Sequence, residues 1–204
     1  MLDFILSLFF GITVTGPRAD EVYAAYWQLP KTGIVTQVKI VERKDWGHGE
    51  NTIGVYYISA KRIEMPTDLD KETFRAVFGH EYGHAFYFQR FNTKAWVDWK
   101  TWWDAHIPLM PRWYAETSSQ EGWAECFAVR FLGTQSRLFD KKDISLELVK
   151  EIDRMISDKA YLSPKEETYA EERVIYLKAP PLKREMGRGY NGYLLSLVRG
   201  ITSL

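Results

Sequence analysis

Apolar and polar positions change period several times along this chain. Leu2 to Val14 is nearly continuously apolar and ends at a Gly16-Pro17 turn. It reads either as a buried first strand, Leu8 to Thr15, or as the apolar core of a signal or anchor segment. The only charge ahead of it is Asp3, where a signal carries Lys or Arg, and Pro17 crowds the cleavage position. "RADEVYAAYWQL" then has helical spacing up to Pro30. "GIVTQVKIVERKD" alternates apolar and polar like a half-buried strand, "WGHGEN" is a turn, and "TIGVYYIS" and "KRIEM" read as further short strands.

After Pro66 the period lengthens to that of helices. "TDLDKE" offers Asp68 or Asp70 as N-cap for a helix from about Lys71 to Phe91. "KAWVDWKTWWDAH" sets Trp96, Trp99 and Trp103 at helical spacing, which suits a helix packed on the core or the wall of a cleft. Another helix starts near Ser118 or Ser119 and stops at Gly133. "SLELVKEIDRMISDK" is a further helix, with Leu146, Val149, Ile152 and Ile156 expected on its buried side. Beyond Ser163-Pro164 the chain is charged and mixed, and "KAPPLKRE" looks like a linker. The expectation is an α+β domain over residues 1–160, with residues 161–204 as a C-terminal extension or arm. Its small antiparallel or mixed sheet would pack on two functional helices.

Composition narrows the chemistry. The 204 residues carry no net charge, so no global field points to nucleic acid or a membrane surface. The sole cysteine, Cys126, excludes an internal disulfide and any Cys-rich metal site, and suits a buried structural thiol. A metal here must be held by histidine and carboxylate.

"HEYGH", His80 to His84, offers that chemistry. A helix turns about 100° per residue, so residues four apart lie about 40° from each other on one face, and both imidazoles reach one cation. Glu81 lies about 100° from His80, beside such a cation rather than in line to bind it with the pair. Gly79 and Gly83 each cost the helix about 1 kcal/mol against Ala, and their missing side chains suit close approach of another segment. A third protein ligand is required. A histidine six residues after the second, with a glycine midway, is absent, because those positions hold Arg90 and Tyr87. "SSQEGWAECFA" instead places Glu121 and Glu125 four apart on a downstream helix, with Ala124 and Ala128 keeping that helix slim. In that reading one glutamate binds metal and the other holds a histidine ring; a solvated glutamate pair is the plain alternative. His106, between the two helices in sequence, is a further histidine within conceivable reach. His48, in its Gly-rich turn, is expected at the surface.

The combination of HExxH at His80–His84 with "EGWAECF" at Glu121–Phe127 resembles the gluzincin zinc metallopeptidases. It is most like the branch typified by the catalytic domain of anthrax toxin lethal factor and related phage and bacterial domains. Tyr114, seven residues before Glu121, matches a tyrosine that this branch carries beside its metal. The likeness spans roughly Ile34 to Phe131, and nothing after Gly133 has a counterpart. It implies a zincin-like fold and one zinc per chain held by His80, His84 and Glu121. It further implies Glu81 as general base, Tyr114 as oxyanion stabiliser and Glu125 as the group orienting a zinc-ligand histidine, His80. The implied partner is a protein or peptide substrate, bound extended along an edge supplied by a strand between Ile34 and Met65. No nucleic acid or membrane is expected, and the arm after Leu177 could recruit a protein. The other reading is a structural or partner-binding protein, a virion or toxin component retaining the module. Extracellular, virion-associated and cytoplasmic settings all stay open.

Overall fold

Alternating burial builds the sheet. β2 (Thr36–Val41) buries Thr36, Val38 and Ile40 and exposes Gln37 and Lys39, the period of a strand with one face on a core. The computed structural model describes residues 11–30, 33–111, 113–133, 144–162 and 174–178. Within them β1 (Ile12–Thr15), β2, β3 (Thr52–Tyr57), β4 (Arg62–Pro66) and β5 (Val174–Lys178) form one sheet in the order β1-β2-β4-β3-β5. β1, β2 and β4 run parallel, while β3 is antiparallel to both of its neighbours, β4 and β5. With five α-helices among the described residues, the class is α+β with a mixed sheet.

The helices are α1 (Ala19–Tyr26), α2 (Lys71–Arg90), α3 (Thr93–His106), α4 (Ser119–Leu132) and α5 (Leu146–Ser157). α1 lies in the crossover between the parallel strands β1 and β2, a link a hairpin cannot make. Arg18, ahead of α1, donates to the carbonyls of Thr67 and Leu69 and lies over the Phe74 ring, tying this corner to the start of α2. α2 starts where Asp70 accepts from the Thr73 N–H at 3.0 Å. It is the central element. Val77, Phe78 and Tyr82 share the core with Tyr56, Ile63 and Met65 of the sheet, and another side of α2 lies against α4. No helix among the described residues is long and apolar enough to cross a membrane.

Several expectations need correction. The sheet is mixed, the second of the two forms expected; which strands pair in parallel was not readable, because alternation identifies strands but not their partners. Residues 174–178, expected within an extension, are instead β5, hydrogen-bonded to β3, with Leu177 fully buried. On α5 the buried positions are Leu148, Ile152 and Met155, while Leu146 is 68% exposed. The helical period was right, but the face packed inward is the one carrying Leu148, Ile152 and Met155, with Asp153 at its side paired to Arg130 of α4 at 3.0 Å. His48 is not a free surface residue. Its ring lies against Trp46 and its Nε2 is 3.3 Å from Glu64, beside Tyr57. The start of the expected first strand at Leu8, the signal-or-anchor alternative and the linker "KAPPLKRE" fall wholly or largely outside the described residues.

Candidate metal centre

α2 and α4 approach closely because small residues meet between them. A Cβ on Gly83 would lie 2.9 Å from the Ala124 Cα, and one on Gly79 would lie 3.3 Å from the Ala128 Cβ. The Trp123 indole N–H donates to the Gly83 carbonyl at 3.1 Å, stapling the two helices at that point. This contact brings Glu121 over His80 and His84. Glu121 is in the first turn of α4, one helical turn inside the Ser118 cap, whose hydroxyl accepts from the Glu121 N–H at 3.2 Å. The helix N-terminus favours the ionised carboxylate there.

Three donor atoms converge. His80 Nε2 and His84 Nε2 are 3.0 Å apart, and Glu121 Oε2 lies 3.1 Å from the first and 3.3 Å from the second. Glu121 Oε2 is buried and makes no well-directed hydrogen bond in spite of these short distances. The two ring nitrogens meet at hydrogen-bond distance, and a carboxylate oxygen close to both without a directed bond to either suits three atoms around a common centre. Tetrahedral bonds of about 2.0–2.1 Å give edges of about 3.3–3.4 Å, close to the separations here. The cluster can hold a metal ion. The histidine side chains are sealed, and Glu121, at 14% exposure, is the donor that meets solvent.

The surrounding groups are arranged by role. Glu125, one turn beyond Glu121 and fully buried, puts Oε1 3.1 Å from His80 Nδ1. That contact leaves Nε2 as the ring nitrogen facing the cluster. Among the described residues neither His80 Nδ1 nor His84 Nδ1 makes a well-directed hydrogen bond, but only His80 Nδ1 has a carboxylate beside it, so the carboxylate support falls on His80 as an ion pair. Glu81 is fully buried and neither carboxylate oxygen has a hydrogen-bond partner among the described residues. It is covered by β3, where a Cβ on Gly54 would lie 2.5 Å from Glu81 Oε1; only glycine lets the strand run so near.

The charges reflect this crowding. Burial works against the His80 imidazolium, but Glu125 and Glu121 outweigh it and push its pKa up to about 10. Burial lowers His84. Burial opposes ionisation of Glu121, yet His84 and His80 hold its carboxyl well below the usual range. Burial pushes Glu81 up to about 8. A cation at the cluster would replace the proton that now neutralises this acidic surrounding.

Tyr114 lies in a short 3-10 segment, Trp113–Glu116, which the Trp103 indole N–H fastens by donating to the Ala115 carbonyl at 2.9 Å. Its ring centre is 5.9 Å from that of His80, and its hydroxyl donates to the Tyr176 carbonyl of β5 at 3.0 Å. The Trp99 indole N–H holds the Ser119 carbonyl at the start of α4, so these α3 tryptophans scaffold the site. His106 does not join it. Its Nε2 pairs with Glu147 at 3.1 Å and its ring stacks on Trp102. Cys126 is a buried thiol 3.7 Å from the Met110 sulfur. Gly54 and Tyr176 are neighbours of the site that the sequence reading missed. A glycine inside the strand "TIGVYYIS" was a visible sign of close backbone approach, whereas nothing in "VIYLK" pointed to this cluster.

Comparison of the chain with protein-family models, with curated proteins and with solved structures gives no match.

Proposed function

We infer that the protein is a zinc-dependent metallopeptidase of the gluzincin type on a zincin-like fold. The observation that carries this reading is the Glu81 carboxylate: fully buried, without a hydrogen-bond partner among the described residues, and next in sequence to His80 of a three-donor cluster. Burying a carboxylate without a partner costs several kcal/mol, and a metal serving only as a structural staple has no use for it. Two imidazoles and one carboxylate, with no thiolate, are the donor set of catalytic zinc sites that keep one position open. Zinc bound there would supply Lewis-acid polarisation and lower the pKa of a water toward about 7.

The chain's own groups account for the remaining work. Glu81 accepts the proton of the attacking water and returns it to the leaving amine. Burial raises its pKa to about 8 before a cation arrives, and the positive charge of a bound cation would favour the ionised form that a base requires. Glu125 fixes the His80 ring through Nδ1. The Tyr114 hydroxyl, once released from Tyr176, is the available donor for a peptide carbonyl oxygen on which negative charge develops. β3 runs past Glu81 and is the strand along which an extended peptide would pair.

The test is peptide cleavage by zinc-loaded protein on a mixed peptide library read by mass spectrometry, wild type beside Glu81→Gln. Cleavage by wild type and at least a hundredfold slower cleavage by Glu81→Gln, at equal zinc content, is the expected result. Equal cleavage by both removes Glu81 as the base.

A further inference from the structure

We propose that β5 is an autoinhibitory strand that fills the peptide-binding track of the metallopeptidase site and must leave β3 before a substrate can enter. The proposal rests on the metallopeptidase reading above and adds a regulation to it.

Pairing comes first. β3 is the strand nearest Glu81, and its edge away from β4 would be free to receive an extended peptide. β5 takes that edge, antiparallel, in the register Val55↔Tyr176, Tyr56↔Ile175 and Tyr57↔Val174. Main-chain N–H and C=O groups used in this ladder are the ones an incoming strand needs. Position follows. Leu177 is opposite Gly54, the residue whose backbone rests on the Glu81 carboxylate, and the ladder carries its irregularity at that point, between Thr52 and Gly54. The segment therefore passes beside the base. Chemistry completes the case. The Tyr114 hydroxyl has a single proton to donate, and it is given to the Tyr176 main-chain carbonyl at 3.0 Å. A main-chain carbonyl of the chain itself thus takes the donor that a peptide carbonyl would need. Strand pairing and the tyrosine contact exclude a substrate together, and both are released by one movement of β5.

The geometry allows a reversible lock away from the site. Val55 and Tyr176 are directly opposite in the ladder, and Val55 is also in register with Glu64, on the face that carries His48. Their side chains point away from the Gly54 face that covers Glu81. Val55→Cys with Tyr176→Cys, oxidised, would fix β5 on β3, and reduction would free it in the same molecule. The native thiol of Cys126 is buried and stays out of the exchange. The Tyr176 carbonyl is turned to Tyr114, so in the extended strand the N–H aimed at β3 is that of its neighbour Ile175, opposite Tyr56; Ile175→Pro acts in the opposite direction by deleting it.

The experiment measures binding to the zinc-loaded full chain of two probes, acetohydroxamate and a hydroxamate carried on an extended tetrapeptide. The small probe should bind alike in every form. The peptide probe should bind at least tenfold more weakly to the oxidised lock than to the reduced one, and at least tenfold more tightly to Ile175→Pro than to wild type. Equal peptide-probe affinity in oxidised and reduced forms, with acetohydroxamate still bound, overturns the autoinhibitory strand alone. No acetohydroxamate binding to any form overturns the metallopeptidase reading itself and the proposal with it. Amide exchange of metal-free protein supplies a separate readout. Ile175→Pro should lose protection along Thr52–Tyr57, and unchanged protection there counts against β5 as the strand that covers this edge.

Discussion

Gly83→Ala sets two effects of opposite sign against each other. In an isolated helix the change gains about 1 kcal/mol, because alanine loses less backbone freedom. In this fold the added Cβ would lie 2.9 Å from the Ala124 Cα, 3.1 Å from the Ala124 carbonyl oxygen and 3.3 Å from the Phe127 Cβ. Two of those atoms are backbone, so no rotamer change relieves the clash. α4 must move outward by about 0.7–1 Å to restore ordinary contact, and overpacking of this kind costs about 1–3 kcal/mol. With rigid backbone on one side, the upper part of that range applies, and the net is a loss of about 1–2 kcal/mol. A domain of this size then melts about 2–8 °C lower. The same displacement carries Glu121 away from two nitrogens now 3.1 and 3.3 Å from its oxygen. Zinc affinity should fall at least tenfold, in the range found when support of a metal ligand is disturbed. Thermal melting of the metal-free protein and competition for zinc with a chelator give the two numbers. A Gly83→Ala protein that melts higher than wild type and holds zinc equally well would refute the helix contact as the device that positions Glu121.

Glu125→Gln removes the charge facing His80 Nδ1; zinc affinity should drop about tenfold with the fold retained, and an unchanged affinity would make Glu125 a bystander. Zinc uptake should release at least one proton at pH 7. His80, raised to about 10 in the metal-free protein, is then charged and must become neutral to bind. The sign follows: binding strengthens as pH rises, about tenfold per unit from pH 7 to 9 for each proton released. Titration calorimetry in buffers of different ionisation enthalpy reads the proton count, and a count of zero contradicts the charge assignment. Tyr114→Phe should slow peptide cleavage about a hundredfold at equal zinc content; an unaltered rate leaves Tyr114 as a core aromatic and a contact for β5.

The parts of this site that were legible in the sequence are those governed by helical geometry. Residues four apart on a helix share a face whatever surrounds them, so His80 with His84 and Glu121 with Glu125 could be placed relative to each other from spacing alone. Helix ends were equally readable, because Asp70, Ser118 and Gly133 act locally as caps. Gly83 and Ala124 announced a close contact through the volume they lack. Distant pairing behaved differently. β5 joins β3 from more than a hundred residues away, and five apolar and polar residues carry no mark of their partner. The parallel joins β1–β2–β4 were hidden for the same reason. On α5 the period was visible, but the inward face depended on what α4 offered, which gave Leu148 and Met155 the places expected for Leu146 and Val149. His48 was misjudged because its turn folds back on Trp46 and Tyr57, a tertiary contact that a local reading does not contain.

Glu81 remains the group whose burial is hardest to explain without a metal beside it, and the metal is therefore the claim to measure first. Elemental analysis should follow chelation and reconstitution with a mixture of divalent metals, wild type beside Glu121→Ala. The account predicts one zinc per chain in wild type and none retained in Glu121→Ala. A wild-type protein that takes up no zinc, or a Glu121→Ala protein that keeps a full equivalent, would contradict it.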